Sequence, residues 1–173
     1  MKGLFITFEG PEGSGKTTQI KRIKDWLTQM DTPCRVIREP GGTKIGNSVR
    51  EIVLDPGHSE MAETTEILLY AASRAQLVEE VIKPALARGE IVLCDRYIDS
   101  SIVYQGYGAM WNLHDILQVN RVATGGLTPD RTYLLDIPVD VLEHRLGERG
   151  IQKDRIEQKN LEFHMRVRQG YFI

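Results

Sequence analysis

Between Gly10 and Thr17 the chain reads Gly-Pro-Glu-Gly-Ser-Gly-Lys-Thr, a full match to G-x-x-x-x-G-K-[ST]. Glycines at these places let backbone N–H groups close around phosphate oxygens, and a helix starting directly behind them adds the positive end of its dipole. Lys16 then suits the β- and γ-phosphates of a nucleoside triphosphate, and Thr17 suits Mg²⁺. Gly10, Pro11, Glu12, Gly13, Ser14, Gly15, Lys16 and Thr17 therefore form a predicted phosphate-binding P-loop for a nucleoside triphosphate. A second signal is the apolar run Ile91-Val-Leu-Cys, which ends in Asp95. A carboxylate at such a strand end is a candidate second ligand for Mg²⁺ or its waters. Arg96 follows at once, as a candidate phosphate ligand.

Arginines recur beside the expected strand ends and loops: Arg38, Arg50, Arg74, Arg96, Arg149 and Arg155. Such a set fits a phosphoryl acceptor that is itself a phosphate, because two anions must be brought within bonding distance. The Asn-Lys-x-Asp motif that reads guanine is absent, which weighs against a GTPase. The combination points to a nucleotide kinase.

Positioning these residues requires alternating elements. Apolar runs at Leu4–Phe8, Arg35–Arg38, Ile91–Asp95 and Thr132–Ile137 read as strands. Lys16–Met30, Ile45–Leu54, Glu60–Arg88, Leu113–Thr124, Pro138–Leu146 and Glu157–Tyr171 read as helices. In the first helix Ile20, Ile23, Trp26, Leu27 and Met30 recur at helical spacing. In the third, Ile67, Leu68, Ala71, Ala75, Val78 and Ile82 form an expected buried stripe, with a bend at Pro84 and a stop at Gly89. The expected class is α/β: a P-loop NTPase-type parallel β-sheet flanked by helices on both faces, with a lid loop at about 147–156. Ligands in such sheets gather at the carboxyl ends of the strands.

With 173 residues, 41% apolar and 27% charged, the chain fits one soluble domain, 1–173. A net charge of −2 gives no global attraction to nucleic acid or to an anionic membrane, and no apolar run has membrane-spanning length. Cys34 and Cys94 read as buried free thiols rather than a disulfide or zinc site. The four histidines form no metal-spaced cluster. The expected setting is cytoplasmic.

Longer matches identify a resemblance to the thymidylate kinases. They are Phe8-Glu-Gly-Pro-Glu-Gly-Ser-Gly-Lys-Thr-Thr-Gln19, Arg38-Glu-Pro-Gly-Gly-Thr43 and Ala71-Ala-Ser-Arg-Ala-Gln76. Gly46 and Arg50, Asp95-Arg-Tyr-Ile-Asp-Ser-Ser101 with Tyr104-Gln-Gly106, Pro129-Asp130, and Asp154-Arg-Ile-Glu157 with Phe163-His164 and Arg168-Gln-Gly-Tyr171 complete the series. The resemblance implies transfer of the γ-phosphoryl group of ATP to dTMP, with Mg²⁺ held through Thr17 and Asp95, in a homodimer. It implies that Arg74, Ser101 and Gln105 bond the thymine edge. Tyr70 stands where many members carry Phe and either stacks on the base or serves as a core aromatic. Tyr104 would crowd the sugar 2′ position, Arg96 and Arg50 would hold the dTMP phosphate with Arg38 as a weaker candidate, and Glu12 would face the acceptor sugar or metal-bound water. The P-loop has no basic residue between Gly10 and Gly15, so the catalytic charge is expected from the lid, with Arg149 and Arg155 ranked above Lys153. Lys16, Asp95, Arg96, Arg149 and Arg155 make up the expected catalytic set.

The resemblance also implies a further strand and helix beyond Ile173, leaving the Thr132–Ile137 strand as an expected exposed edge. Two rival readings remain: a kinase with a broader pyrimidine monophosphate range, and a binding-only P-loop protein.

Overall fold

A computed structural model describes residues 3–148, 150 and 153–173. Its frame is a four-stranded parallel sheet in the order β2-β3-β1-β4. The strands are β1 (Leu4–Glu9), β2 (Cys34–Arg38), β3 (Ile91–Asp95) and β4 (Arg131–Leu134). β1 and β3 are neighbours, with Phe8 opposite Asp95. That register brings the P-loop and the Asp95-Arg96 pair side by side at the carboxyl ends of the strands, where this kind of sheet binds ligands.

β3 is buried on both faces, and Val92, Leu93 and Cys94 are all 0% exposed. Phe5, Val92 and Cys94 pack with Leu77, Val78, Ile82 and Ala85 on one side. Phe8 and Leu93 pack with Ile20 and Leu27 of α1 (Lys16–Gln29) on the other. An apolar run without alternation is what such double burial requires. In α1, Trp26 and Met30 do not join this core; they are exposed, and the buried face is carried by Ile20 and Leu27.

After β2 come α2 (Lys44–Leu54), capped by the Thr43 side chain accepting from the Gly46 N–H, and α3 (Glu63–Leu77). The chain stays helical through a widened π turn at Val78–Ile82 into α4 (Lys83–Ala87). The widening immediately precedes Pro84, whose ring would clash with the Glu80 carbonyl in a regular helix. Gly89 follows at φ 79°, the left-handed stop expected of it. The expected stripe on α3 needs one correction: Leu68 is exposed, because the face it shares with Ala72 points away from the sheet.

α5 (Ile98–Ser101) passes directly into a second π-helical stretch, Ile102–Gly108. There follow α6 (Leu113–Thr124), α7 (Val139–Glu148) and α8 (Leu161–Gly170). The expected lid loop thus begins inside α7. The expected helix from Glu157 starts instead at Leu161, capped by Asn160, whose side chain accepts from the Phe163 N–H. Asp154 interrupts the helix by accepting from the N–H groups of Ile156 and Glu157, closing a tight turn. β4 ends at Leu134, short of the expected Ile137, and its four residues are exposed. Among the described residues no helix is long and apolar enough to cross a membrane. Cys94 is buried, Cys34 only partly, and both thiols are free.

Candidate active site

The P-loop leaves β1 through Gly10, Gly13 and Gly15, at φ 133°, 69° and 96°. Gly10 is required twice over: besides its left-handed backbone, a Cβ there would lie 2.2 Å from the Leu135 carbonyl oxygen. Lys16 opens α1 and folds back over the loop, donating to the carbonyls of Gly10 (2.9 Å) and Pro11 (2.8 Å). Burial, reinforced by the nearby Arg96 guanidinium, lowers its ammonium to about 8. Thr17 donates its hydroxyl to Asp95 Oδ2 at 3.0 Å. The pair joins a hydroxyl and a carboxylate at the mouth of the loop, hard oxygen donors of the kind Mg²⁺ prefers. Among the described residues there is no cluster of three or more His, Cys, Asp or Glu able to hold a metal alone.

Arg96 takes the left-handed φ of 73°. Its guanidinium donates to the Gly10 carbonyl (2.8 Å), to Ser100 Oγ (3.3 Å) and to Glu12 Oε1 (2.6 Å). The Tyr104 hydroxyl donates to the other Glu12 oxygen at 2.6 Å. Burial pushes the Glu12 carboxyl up, but Arg96, Lys16 and the Tyr104 hydroxyl outweigh it and hold it below the ordinary carboxylate range.

Two cavities meet at this pair. One is an open cleft over the P-loop, lined by Gly13, Gly15, Lys16, Thr17, Arg38 and Asp95 among others. The second is lined by Tyr70, Arg74, Ser101, Tyr104 and Gln105. Glu12, Glu39, Arg50, Arg96 and Asp154 line both. Apart from Arg38, an acceptor candidate that lines only the P-loop cleft, residues expected to serve the donor and those expected to serve the acceptor therefore fall into adjoining spaces with a common wall.

Arg74, 2% exposed, is the most constrained of them. Its Nε donates to Glu39 Oε2 at 2.6 Å, its Nη2 to the Tyr97 carbonyl at 3.0 Å, and its Nη1 to Ser101 Oγ at 2.9 Å and to Asn120 Oδ1. With Nη2 also on Glu39, all five guanidinium N–H groups have protein partners. Arg50 donates to the Pro40 carbonyl at 3.0 Å, while Arg38 is exposed on the rim.

The expected lid charges among the described residues do not line the P-loop cleft. Arg149 lies outside the described residues. Arg155 is buried, donating to Glu66 Oε2 (2.6 Å) and to the Val53 carbonyl (2.9 Å), and does not line the P-loop cleft. Its neighbour Asp154 lines that cleft instead, and Lys153 is exposed.

Several residues escaped the sequence reading. Arg145 of α7 donates to the Gly13 carbonyl at 2.5 Å, setting a cation over the P-loop. Its signal was a lone arginine within an expected helix. Glu9, at the end of β1, accepts from the Tyr97 N–H (2.7 Å) and the Ser100 hydroxyl (2.5 Å), and burial drives its carboxyl up to about 7. Glu39 and Glu66 are likewise buried carboxylates that orient arginines.

Comparison with known proteins agrees with this geometry. The sequence model of the thymidylate kinase family matches residues 8–172. The chain is 54% identical over 171 residues to a thymidylate kinase of Exiguobacterium sibiricum, covering 99% of this chain and 80% of that one. To the Deinococcus radiodurans thymidylate kinase it is 55% identical over 170 residues, covering 98% and 82%. The crystal structure of the thymidylate kinase from Ehrlichia chaffeensis superposes with a TM-score of 0.81 at 33% identity, covering 99% of this chain and 86% of that one. The chain belongs to the thymidylate kinase family of nucleoside monophosphate kinases.

Proposed function

We propose that the adjoining cavities are the two nucleotide sites of an ATP:dTMP phosphotransferase, which forms dTDP and ADP by direct in-line transfer. ATP lies over the P-loop, with Lys16 on its β- and γ-phosphates. Thr17 and Asp95 hold Mg²⁺, which when bound neutralises charge on the donor phosphates. dTMP occupies the enclosed cavity, its base against Tyr70, Ser101, Gln105 and Arg74 and its sugar beside Tyr104 and Glu12. Its phosphate points to the common wall, where Arg50 and Arg96 receive it. The shared wall carries this reading: two cavities with the same two arginines between them suit two phosphates that must come within bonding distance. Arg145 sets a cation over the P-loop that would help hold the ATP phosphates, and Arg149 is the candidate catalytic cation of the lid.

A coupled assay of the folded chain with ATP and dTMP, dUMP or dCMP tests the assignment. dTDP formation preferring dTMP is expected; absence of dTDP would defeat it, and equal use of all three would favour the broader pyrimidine reading. We also propose a homodimer through the exposed apolar face of α3 and α6, where Leu68, Ala72 and Val122 line a surface groove. Sedimentation at micromolar concentration should give twice the chain mass of 19.6 kDa. Two free thiols and nucleotide substrates support a reducing, cytoplasmic setting for the reaction.

A further inference from the structure

Glu66 sits on α3, is 8% exposed, and has both carboxylate oxygens engaged. Oε1 accepts from Gln105 Nε2 at 3.0 Å, and Oε2 accepts from Arg155 Nη2 at 2.6 Å. An ionised carboxylate only accepts, so the Gln105 atom that meets it must be the nitrogen. The Gln105 amide is thereby held in one of its two orientations. Among the described residues its carbonyl oxygen takes no hydrogen bond, and Gln105 lines the enclosed cavity. What the fixed amide has left to offer a base is an acceptor.

We infer that Glu66 is a positioning residue for base choice: by fixing the Gln105 amide, it makes the cavity accept a pyrimidine whose ring N3 carries hydrogen and turn away cytosine, whose N3 is an acceptor. The inference rests on the reading that this cavity takes the acceptor base. Arg155 sharpens it. A guanidinium has no acceptor, so Arg155 demands an oxygen from whatever side chain stands at position 66. In the Glu66→Gln variant the single amide oxygen turns to Arg155, and the new amide nitrogen faces Gln105. Gln105 must then present its own oxygen to position 66 and its nitrogen to the base. A donor stands where the wild-type protein has an acceptor. Facing donors lose their bond and leave buried polar groups unpaired, which is how a polar site rejects the wrong base.

The experiment compares kcat/KM for dTMP and dCMP, and calorimetric binding of both nucleotides, in wild type, E66Q and Q105L, with thermal unfolding to establish that each is folded. E66Q should lower the dTMP:dCMP ratio roughly tenfold or more. The ratio is read rather than the rate because Arg155 belongs to the candidate catalytic set and its surroundings change. Should E66Q fail to fold, E66M/R155M removes both charges together, the change a buried pair tolerates best. It frees the amide and should lower the ratio severalfold. A wild-type ratio in folded E66Q or E66M/R155M, with the ratio lost in Q105L, would overturn the role of Glu66 and leave the cavity reading standing. A wild-type ratio in Q105L as well would remove the cavity reading, and the inference with it.

Discussion

The cleft over the P-loop takes one continuous stretch of its wall, Gly13, Gly15, Lys16, Thr17 and Thr18, from neighbours in sequence, and the rest from strand ends and loops that carry Arg38, Asp95 and Arg96 among others. The enclosed cavity beside it draws on residues from Glu12 to Ile156, brought together from the P-loop, the turn after β2, α2, α3, α5, the Ile102–Gly108 segment and the loop before α8. In the first, the groups of that stretch are tied to their own neighbourhood, Lys16 to the Gly10 and Pro11 carbonyls and Thr17 to Asp95. In the second, the binding groups are side chains already bonded to one another, with Arg74 fully engaged and Glu12 held by Arg96 and Tyr104. Phosphate recognition can thus be local and generic, whereas base recognition needs a network assembled across the fold.

Substitutions can test how far the two spaces are independent. Lys16→Met should cut kcat roughly 10³-fold, yet leave dTMP affinity unchanged by calorimetry, since Lys16 does not line the enclosed cavity. Weakened dTMP binding would mean the two spaces act as one. Glu39→Ala should act chiefly on the fold, because it leaves the Arg74 charge buried without its carboxylate. About 3 kcal/mol should be lost in urea unfolding. A loss under about 1 kcal/mol would show that the Tyr97 carbonyl, Ser101 and Asn120 suffice for Arg74.

Glu9 supplies a pH signature beneath the common wall. Its folded value of about 7 lies above the ordinary 4.5, so across that window the folded chain keeps a proton that the unfolded chain has released. Stability from this group therefore falls as pH rises from 4.5 to 7. Asp99, Glu39 and Asp154 are also raised by burial, so the comparison of wild type with Glu9→Gln isolates it. Relative to wild type, E9Q should gain about 2 kcal/mol between roughly pH 5 and pH 7.5; a flat difference would remove Glu9 as its source. The smallest effect is expected at Arg145→Ala: the KM for ATP should rise about five- to tenfold, while that for dTMP stays put. An unchanged KM for ATP would make the contact with Gly13 incidental.

The same contrast sets what the sequence could disclose. The P-loop was legible because its function resides in consecutive residues, and β3 because burial on both faces leaves an unbroken apolar run. Asp95 beside Thr17 followed from those two elements being neighbours. Residues of the enclosed cavity could be named only through family resemblance, since no local pattern tells that Gln105 will meet Glu66 across 39 positions. Arg155 is expected over the P-loop because the loop has no basic residue between Gly10 and Gly15; the fold instead spends it on Glu66 and the Val53 carbonyl. The start of α8 was misplaced for a simpler reason: Asp154 and Asn160 each end one turn and begin another, and a reading of apolar spacing passes over both.

Arg96 adopts a backbone shape that suits glycine, and hydrogen bonds secure both of its peptide groups: its N–H donates to the Phe8 carbonyl at 3.0 Å, and its carbonyl accepts from the Cys94 thiol at 3.0 Å. A left-handed L-residue costs about 1–2 kcal/mol. For anyone seeking a sturdier variant, replacing it with glycine is therefore the obvious first choice, and it is the wrong one. The substitution would relax the main chain while removing the only side chain that donates to Glu12 as a cation among the described residues. Durability and chemistry pull in opposite directions at this single position, so gains in robustness have to be sought away from the wall between the two nucleotides.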